Sequence, residues 1–515
     1  MAIDKGNDPP PGQLATTGSR MRAFGKRLSA VLRALIRKST VAVILAILMV
    51  AGLRAYQSTQ GPSLRPWHTI VPEELDAQAI VAGGWDHYVG AEANMFRKLE
   101  QRLRVRLQPE DRTPLNRYFP SSAASPRTFG RDWNHSFVLE PAGSAVGVVV
   151  LVHGLTDSPY SVRTLAESYR RHGFVAIAPR MPGHGTVPAG LTRQGGDDWL
   201  AAVEMSVTEA RRRAGGLPVQ LVGYSNGGAL VLLQVMRRIG RGEAHGIDRI
   251  VLMSPMIEVS GFARYAGLAG LPSMFGRYAK SAWLDVLPEY NPFKYNSFPV
   301  RAARESYLVT RDLQAALQTV ADQGRMDEVP TILAFQSVVD DTVNPRGVMT
   351  LLFDRLADNG SELVLFDVNR ARIISPMLAP ERTDWPRAVL QGPARNYTLT
   401  VIGAASPEDA SIRERSRPAR STVVNERATG LSYPAELYSL SHVALPFPSD
   451  DPLYGNRRTD RRSVQLGTIS ARGERNTLLV SLDSLDRLSY NPFHSYMAAR
   501  IAVAQPAVSV EAVPR

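Results

Sequence analysis

The chain has 515 residues, of which 44% are apolar, so it can bury a sizeable core as one large domain with insertions or as two domains, and it is not disordered throughout. It has no cysteine, which excludes disulfides, thiolate metal sites, a cysteine nucleophile and a lipidated-cysteine anchor. The net charge is +12, but eight Lys/Arg against two acids in the first forty residues supply half of it, and no nucleic-acid motif occurs elsewhere, so the charge marks a basic amino terminus rather than a nucleic-acid partner.

Residues 1–18 are rich in Pro, Gly and polar side chains and read as disordered. Within a basic leader ending at residue 38, Met21–Lys38 reads as an amphipathic helix, with Phe24, Leu28, Val31, Leu32 and Leu35 at helical spacing and arginines between them. The uncharged run Thr40–Leu53 follows, about 21 Å long as a helix against the ~30 Å of a bilayer core, with Arg37, Lys38 and Arg54 placed to snorkel. An uncleaved signal anchor over 39–55, a cleaved signal peptide and a buried core helix all fit. The first two place the positive flank in the cytoplasm and the remaining chain across the membrane, as in a bacterial inner-membrane protein.

Residues 56–130 read as a partly helical lead-in. Thereafter short runs apolar on both faces alternate with helical patterns: 146–154, 174–181, 219–225, 249–255, 331–337 and 362–368 read as strands. This alternation predicts an α/β fold, a mostly parallel sheet with helices on both faces, over 131–256 and 326–500. Residues 257–325, rich in aromatics, Gly, Pro and Met, read as a helical cap or lid insertion. Residues 371–435 read as a second insertion, polar and Arg/Ser-rich around Ser411–Arg427, with one strand candidate, Tyr397–Gly403.

Gly223-Tyr224-Ser225-Asn226-Gly227 fits G-x-S-x-G where a strand ends and a helix begins. A serine on such a turn stands clear of the sheet. Gly223 and Gly227 let the two backbones approach, and the helix amino terminus favours developing negative charge. The serine needs a base and the base an orienting acid. Asp340, just past the strand 331–337, is the acid, with Asp341 its possible confusion. His442, in the loop after the alternating segment Ala435–Leu440, is the base, and His494 is its late-chain alternative. The order Ser225, Asp340, His442 is the one this strand-and-helix arrangement requires. The N–H groups of Leu155, after the strand ending at His153-Gly154, and of Asn226 are the oxyanion donors, and His153 and His184 read as structural. No metal-ligand spacing is present, and neither metal nor cofactor is expected.

With "HGLTDSP", "PRMPGHGT", "GYSNGG" and "VVDDTV" in this order, the chain resembles the α/β-hydrolase superfamily, in its serine-aminopeptidase-like and monoacylglycerol-lipase-like branch, over about 135–450. The resemblance implies a triad of Ser225, Asp340 and His442, oxyanion donors Leu155 and Asn226, and a cap at about 257–325. Two features depart from that branch: Tyr-Ser-Asn stands where it usually has His-Ser-Met, and 102 residues separate Asp340 from His442. The expected activity is hydrolysis of carboxylic esters, lipid-like or acylglycerol esters first, by a membrane-held enzyme. A serine aminopeptidase, with Glu289 or Asp285 reading a peptide terminus, is the alternative reaction. A non-catalytic membrane-tethered binding protein on the same fold is the alternative of another class.

Overall fold

The computed structural model describes residues 16–258, 270–372, 374–434, 439–456, 463–468 and 489–503. The chain divides into two compact units, residues 62–267 with 282–515, and residues 1–61 with 268–281.

The larger unit is built on a ten-stranded sheet of β1 (Phe137–Leu139), β2 (Gly147–Val152), β3 (Phe174–Ala178), β4 (Val219–Tyr224), β5 (Arg249–Met253), β8 (Thr331–Ser337), β9 (Glu362–Phe366), β10 (Thr398–Ser406), β11 (Asp409–Arg417) and β12 (Asn425–Ser432). Its order is β1-β3-β2-β4-β5-β8-β9-β10-β11-β12, parallel from β3 to β10 and antiparallel at both ends. β6 (Trp283–Asp285) and β7 (Phe298–Pro299) form a separate antiparallel pair. Strands β2 to β5 are buried at every residue, because helices cover both faces. These are α4 (Tyr160–Arg171), α5 (Gly196–Ala214), α6 (Asn226–Gly240) and α7 (Val300–Asp322), which follow α1 (Thr16–Ser58), α2 (Pro66–Thr69) and α3 (Ala77–Arg104). The mostly parallel, helix-covered sheet expected from the strand-helix alternation is the one observed, and it fits the α/β-hydrolase fold that the resemblance implies.

Two parts differ from the sequence reading. Of the region expected as a cap, 257–325, the part that forms α7 packs on α6 in the helical layer of the body, burying Val309, Leu313, Leu317 and Val320 at i, i+4 and neighbouring spacings. What precedes it among the described residues is short 3₁₀ turns and the β6–β7 pair, not α-helix. Residues 259–269 of that region lie outside the described residues. The stretch 371–435 is no simple excursion, since β10, β11 and β12 extend the sheet beyond β9. The charges of β11 hid it. Glu414 is buried there but held by Arg427 of β12 at 2.7 and 2.8 Å and by the Tyr496 hydroxyl at 2.6 Å.

The lead-in 62–130 is part of the larger unit. α3 is capped by Asp76, bends at Gly84 (φ 68°) and packs on α5. Its Glu92 and the nearby Glu74 grip the fully buried Arg180 at the end of β3, at 3.0 and 2.8 Å. Breaking such a buried pair leaves an uncompensated charge, which costs about 3–5 kcal/mol.

In the smaller unit, the amphipathic stretch and the apolar run are one continuous helix, α1. Its segment Leu35–Ser58, 24 residues with Arg37, Lys38 and Arg54 among them, carries an apolar window and is long and apolar enough to cross a membrane. At 1.5 Å per residue this is about 36 Å, enough to cross a bilayer core.

Candidate active site

β4 delivers the chain to Ser225, which takes φ 54° and ψ −118° before α6 begins at Asn226. This is the left-handed region, strained for a residue with a side chain. The turn is pinned from both sides: the Ser225 N–H donates to Met253 O at 2.9 Å, and Ser225 O accepts from Gly228 N at 2.9 Å and Met256 N at 3.0 Å. The glycines are required by contact. A Cβ on Gly227 would lie 2.2 Å from Val152 O, and one on Gly223 would lie 2.5 Å from Gly228 Cα.

Asp340 sits in the turn after β8. Its Oδ1 accepts the N–H groups of Thr342 and Val343, both at 2.9 Å, and its Oδ2 accepts Gln336 Nε2 at 2.9 Å. The same Oδ2 lies 2.8 Å from His442 Nδ1, and His442 Nε2 lies 3.0 Å from Ser225 Oγ. Nδ1–H therefore donates to the carboxylate, leaving Nε2 to accept from the serine hydroxyl. Burial raises the Asp340 carboxyl pKa, but the imidazole beside it and the donated hydrogen bonds outweigh that and hold it below the usual range. Ser225 and His442 are each 5% exposed, so this line of three groups operates in a low-dielectric setting.

Leu155 and Asn226 flank the serine from the β2 loop and the first turn of α6. Among the described residues, neither N–H has a hydrogen-bond partner, so both remain able to meet an anionic oxygen. The β2 loop is fixed by Tyr295, whose N–H donates to Thr156 O at 2.7 Å; Thr156 itself has φ 62°. The arrangement can do one thing well. An imidazole oriented by a buried carboxylate takes the proton of a hydroxyl whose attack builds negative charge beside a helix amino terminus.

The other candidates lie elsewhere. Asp341 pairs with Arg382 at 3.5 Å. His153 is closed within the fold, Nδ1 on Gly154 O at 2.9 Å and Nε2 accepting from Met181 N at 3.0 Å; burial lowers its pKa to about 4. His184 is fully buried, with Nδ1 on Pro182 O, and His494 opens the helix His494–Val503. Glu289, the candidate for reading a peptide terminus, is 2% exposed and clamps its own loop through the N–H groups of Asn296 and Ser297. Asp285 is exposed at the end of β6. The alternating segment before His442 falls mostly outside the described residues, which resume at Ser439.

Sequence reasoning missed two groups near the imidazole, Tyr224 and Asp157, and one that anchors the loop after it, Asp451. The Tyr224 hydroxyl donates to His442 O at 3.3 Å, with its ring 5.6 Å from the imidazole. Asp451, fully buried, ties the loop after His442 to α4 through Tyr160 Oη (2.9 Å) and Arg163 (2.8 Å), and it accepts the N–H groups of Leu453 and Tyr454. That last pattern is an Asx turn, legible in "DDPLYG" as an aspartate ahead of a proline. Asp157, 3% exposed in the β2 loop, has its pKa pushed up to about 6 by burial, against the pull of Lys294. No pattern in the sequence marks it.

Residues 143–368 match the family described as serine aminopeptidase, S33. A thermostable monoacylglycerol lipase of Bacillus sp. (strain H-257) is 29% identical over 223 residues, 42% of this chain and 79% of that protein. Among solved structures, one from work on the metagenome-derived lipolytic enzymes LipS and LipT is 21% identical, covering 46% of this chain and 88% of its own, with a TM-score of 0.37. A soluble variant of monoglyceride lipase from Saccharomyces cerevisiae is 15% identical, covering 45% and 81%, with a TM-score of 0.34.

Proposed function

We propose, for a chain that is an α/β-hydrolase of the serine-aminopeptidase and monoacylglycerol-lipase-like branch and a hydrolase of carboxylic esters, that Ser225 is its nucleophile and lipid-like or acylglycerol esters its substrates. The observation that carries this reading is the line Asp340–His442–Ser225, closed at 2.8 and 3.0 Å on a strained strand-to-helix turn. His442 takes the Ser225 proton as Oγ attacks the ester carbonyl, and the Leu155 and Asn226 N–H groups hold the oxyanion. Asp340 fixes the tautomer and stabilises the imidazolium. His442 then returns its proton to the departing alcohol. Water, deprotonated by the same imidazole, attacks the acyl-enzyme, and the carboxylic acid leaves Ser225 restored. The lipase relative supports acylglycerols as the ester class. The peptidase alternative loses its best amine-reading carboxylate, because both Glu289 oxygens accept backbone N–H groups of its own loop.

The apolar helix Leu35–Ser58, with basic residues before it, supports a membrane anchor with a cytoplasmic amino terminus and the larger unit on the far side. A fluorophosphonate probe labels the wild type and not Ser225→Ala, whose turnover falls by about 10⁴-fold or more with the fold intact. A folded wild type that resists the probe returns the chain to the class of binding proteins. A panel of p-nitrophenyl and monoacylglycerol esters against aminoacyl amides decides the reaction. Faster turnover of the amides makes it a peptidase.

A further inference from the structure

The smaller unit joins two pieces of chain more than two hundred residues apart, α1 and the segment that ends at Ser281. The 3₁₀ turn Leu271–Met274 packs against α1. Lys280 Nζ donates to the carbonyls of Gln60 and Gly61, just beyond the end of α1 at Ser58. The segment is thereby fastened where Leu35–Ser58 ends. If that helical stretch crosses a bilayer core of ~30 Å, Gln60 and Gly61 lie at headgroup depth, and so does what they hold.

The composition of the segment suits that depth. Met274 is 81% exposed and Phe275 68% exposed, two adjacent large apolar side chains with no covering element among the described residues. Arg277 stands over the Tyr278 ring at 4.6 Å, and Tyr56 on the last turns of α1 is 66% exposed. Residues 270–281 contain no acid. Apolar tips among tyrosines and cations are the chemistry of the membrane–water boundary, and isolated in water such a patch is unfavourable.

We propose that residues 270–281 are a second membrane contact, in which Met274 and Phe275 enter the lipid interface beside the emerging helix and Arg277 meets anionic headgroups. The partner is a lipid surface on the side of the bilayer that carries the larger unit. The inference rests on the reading of α1 as a membrane span, and it goes beyond that reading by assigning a separate segment to the lipid.

The absence of cysteine makes the test clean, because one introduced thiol is the only labelling site. The full chain is reconstituted into phosphatidylethanolamine/phosphatidylglycerol vesicles with an environment-sensitive fluorophore on Val50→Cys, Met274→Cys or Phe275→Cys in turn. Emission is compared with and without lipids brominated at shallow or deep chain positions. The expected result is quenching of position 50 by deep bromines, and of 274 and 275 severalfold more by shallow bromines than by deep ones. Quenching at 50 with none at either 274 or 275 overturns the contact and leaves the anchor standing. No quenching at 50 overturns the anchor, and the inference falls with it. The Met274 label keeps Phe275 in place, so a loss confined to Phe275→Cys reports that side chain's own part and still supports the contact.

Discussion

Strands β2, β4, β5, β8 and β9 and strands β10 to β12 belong to one sheet, yet different chemistry holds them. The first group is buried on both faces and apolar almost throughout, apart from buried polar ends such as Gln220 and Arg249. The second turns antiparallel, and β12 is exposed along most of its length and studded with Arg/Glu pairs. Such an edge resists pairing with other chains. The first group delivers Ser225 and Asp340 from strand ends, and after the second the chain returns with His442. The central strands cannot change without breaking the turn itself, whereas the flank needs only to bring one imidazole back.

That contrast can be pressed at four places, in falling order of effect. Gly227→Ala sets a methyl 2.2 Å from Val152 O, backbone against backbone, where no side chain can yield. It should cost more than about 4–5 kcal/mol of unfolding free energy, measured by urea titration, and abolish probe labelling. Asp451→Ala strips Arg163, Tyr160 and two backbone N–H groups of their buried partner. A loss of about 3–5 kcal/mol is expected, with kcat falling further than stability alone explains as His442 loses its hold. An Asp451→Ala enzyme with normal kcat shows that the returning loop needs no clamp.

The third concerns pH. The Asp157 carboxyl, raised to about 6, favours the folded state while protonated. That contribution is present below the ordinary carboxylate pKa and is lost as pH rises through about 6. Asp157→Asn removes the dependence, so the variant should gain on the wild type by up to roughly 3 kcal/mol between pH 3 and pH 7. Parallel stability curves for the two proteins sink the assignment. The smallest effect belongs to the flank. Glu426→Ala removes its ion pairs with Arg415 and Arg413, partly exposed on both sides, and a change of only about 0–1 kcal/mol is expected, with activity intact. A large loss of turnover there ties the flank to the site more tightly than its exposed charges suggest.

Local order was legible in the residues. Two apolar faces mark a covered strand, so β2 to β5, β8 and β9 could be read to within a few positions. G-x-S-x-G at a strand end carries part of its own geometry, because the contact that demands Gly223 lies in the helix that follows, whereas the one that demands Gly227 lies in β2 at Val152 O. Asp340 could be read for the same reason, as the first aspartate beyond a strand. The tertiary structure alone decided that 371–435 joins the sheet, since a strand satisfied by cross-strand charge pairs looks polar until its neighbour is in place. It also decided that His442, 102 residues beyond Asp340, meets it at 2.8 Å, that Tyr224 and Asp157 lie near that imidazole, and that Asp451 ties the loop after it to α4. Pairing between distant residues depends on where the sheet ends and how the chain returns, and no short window of sequence contains that.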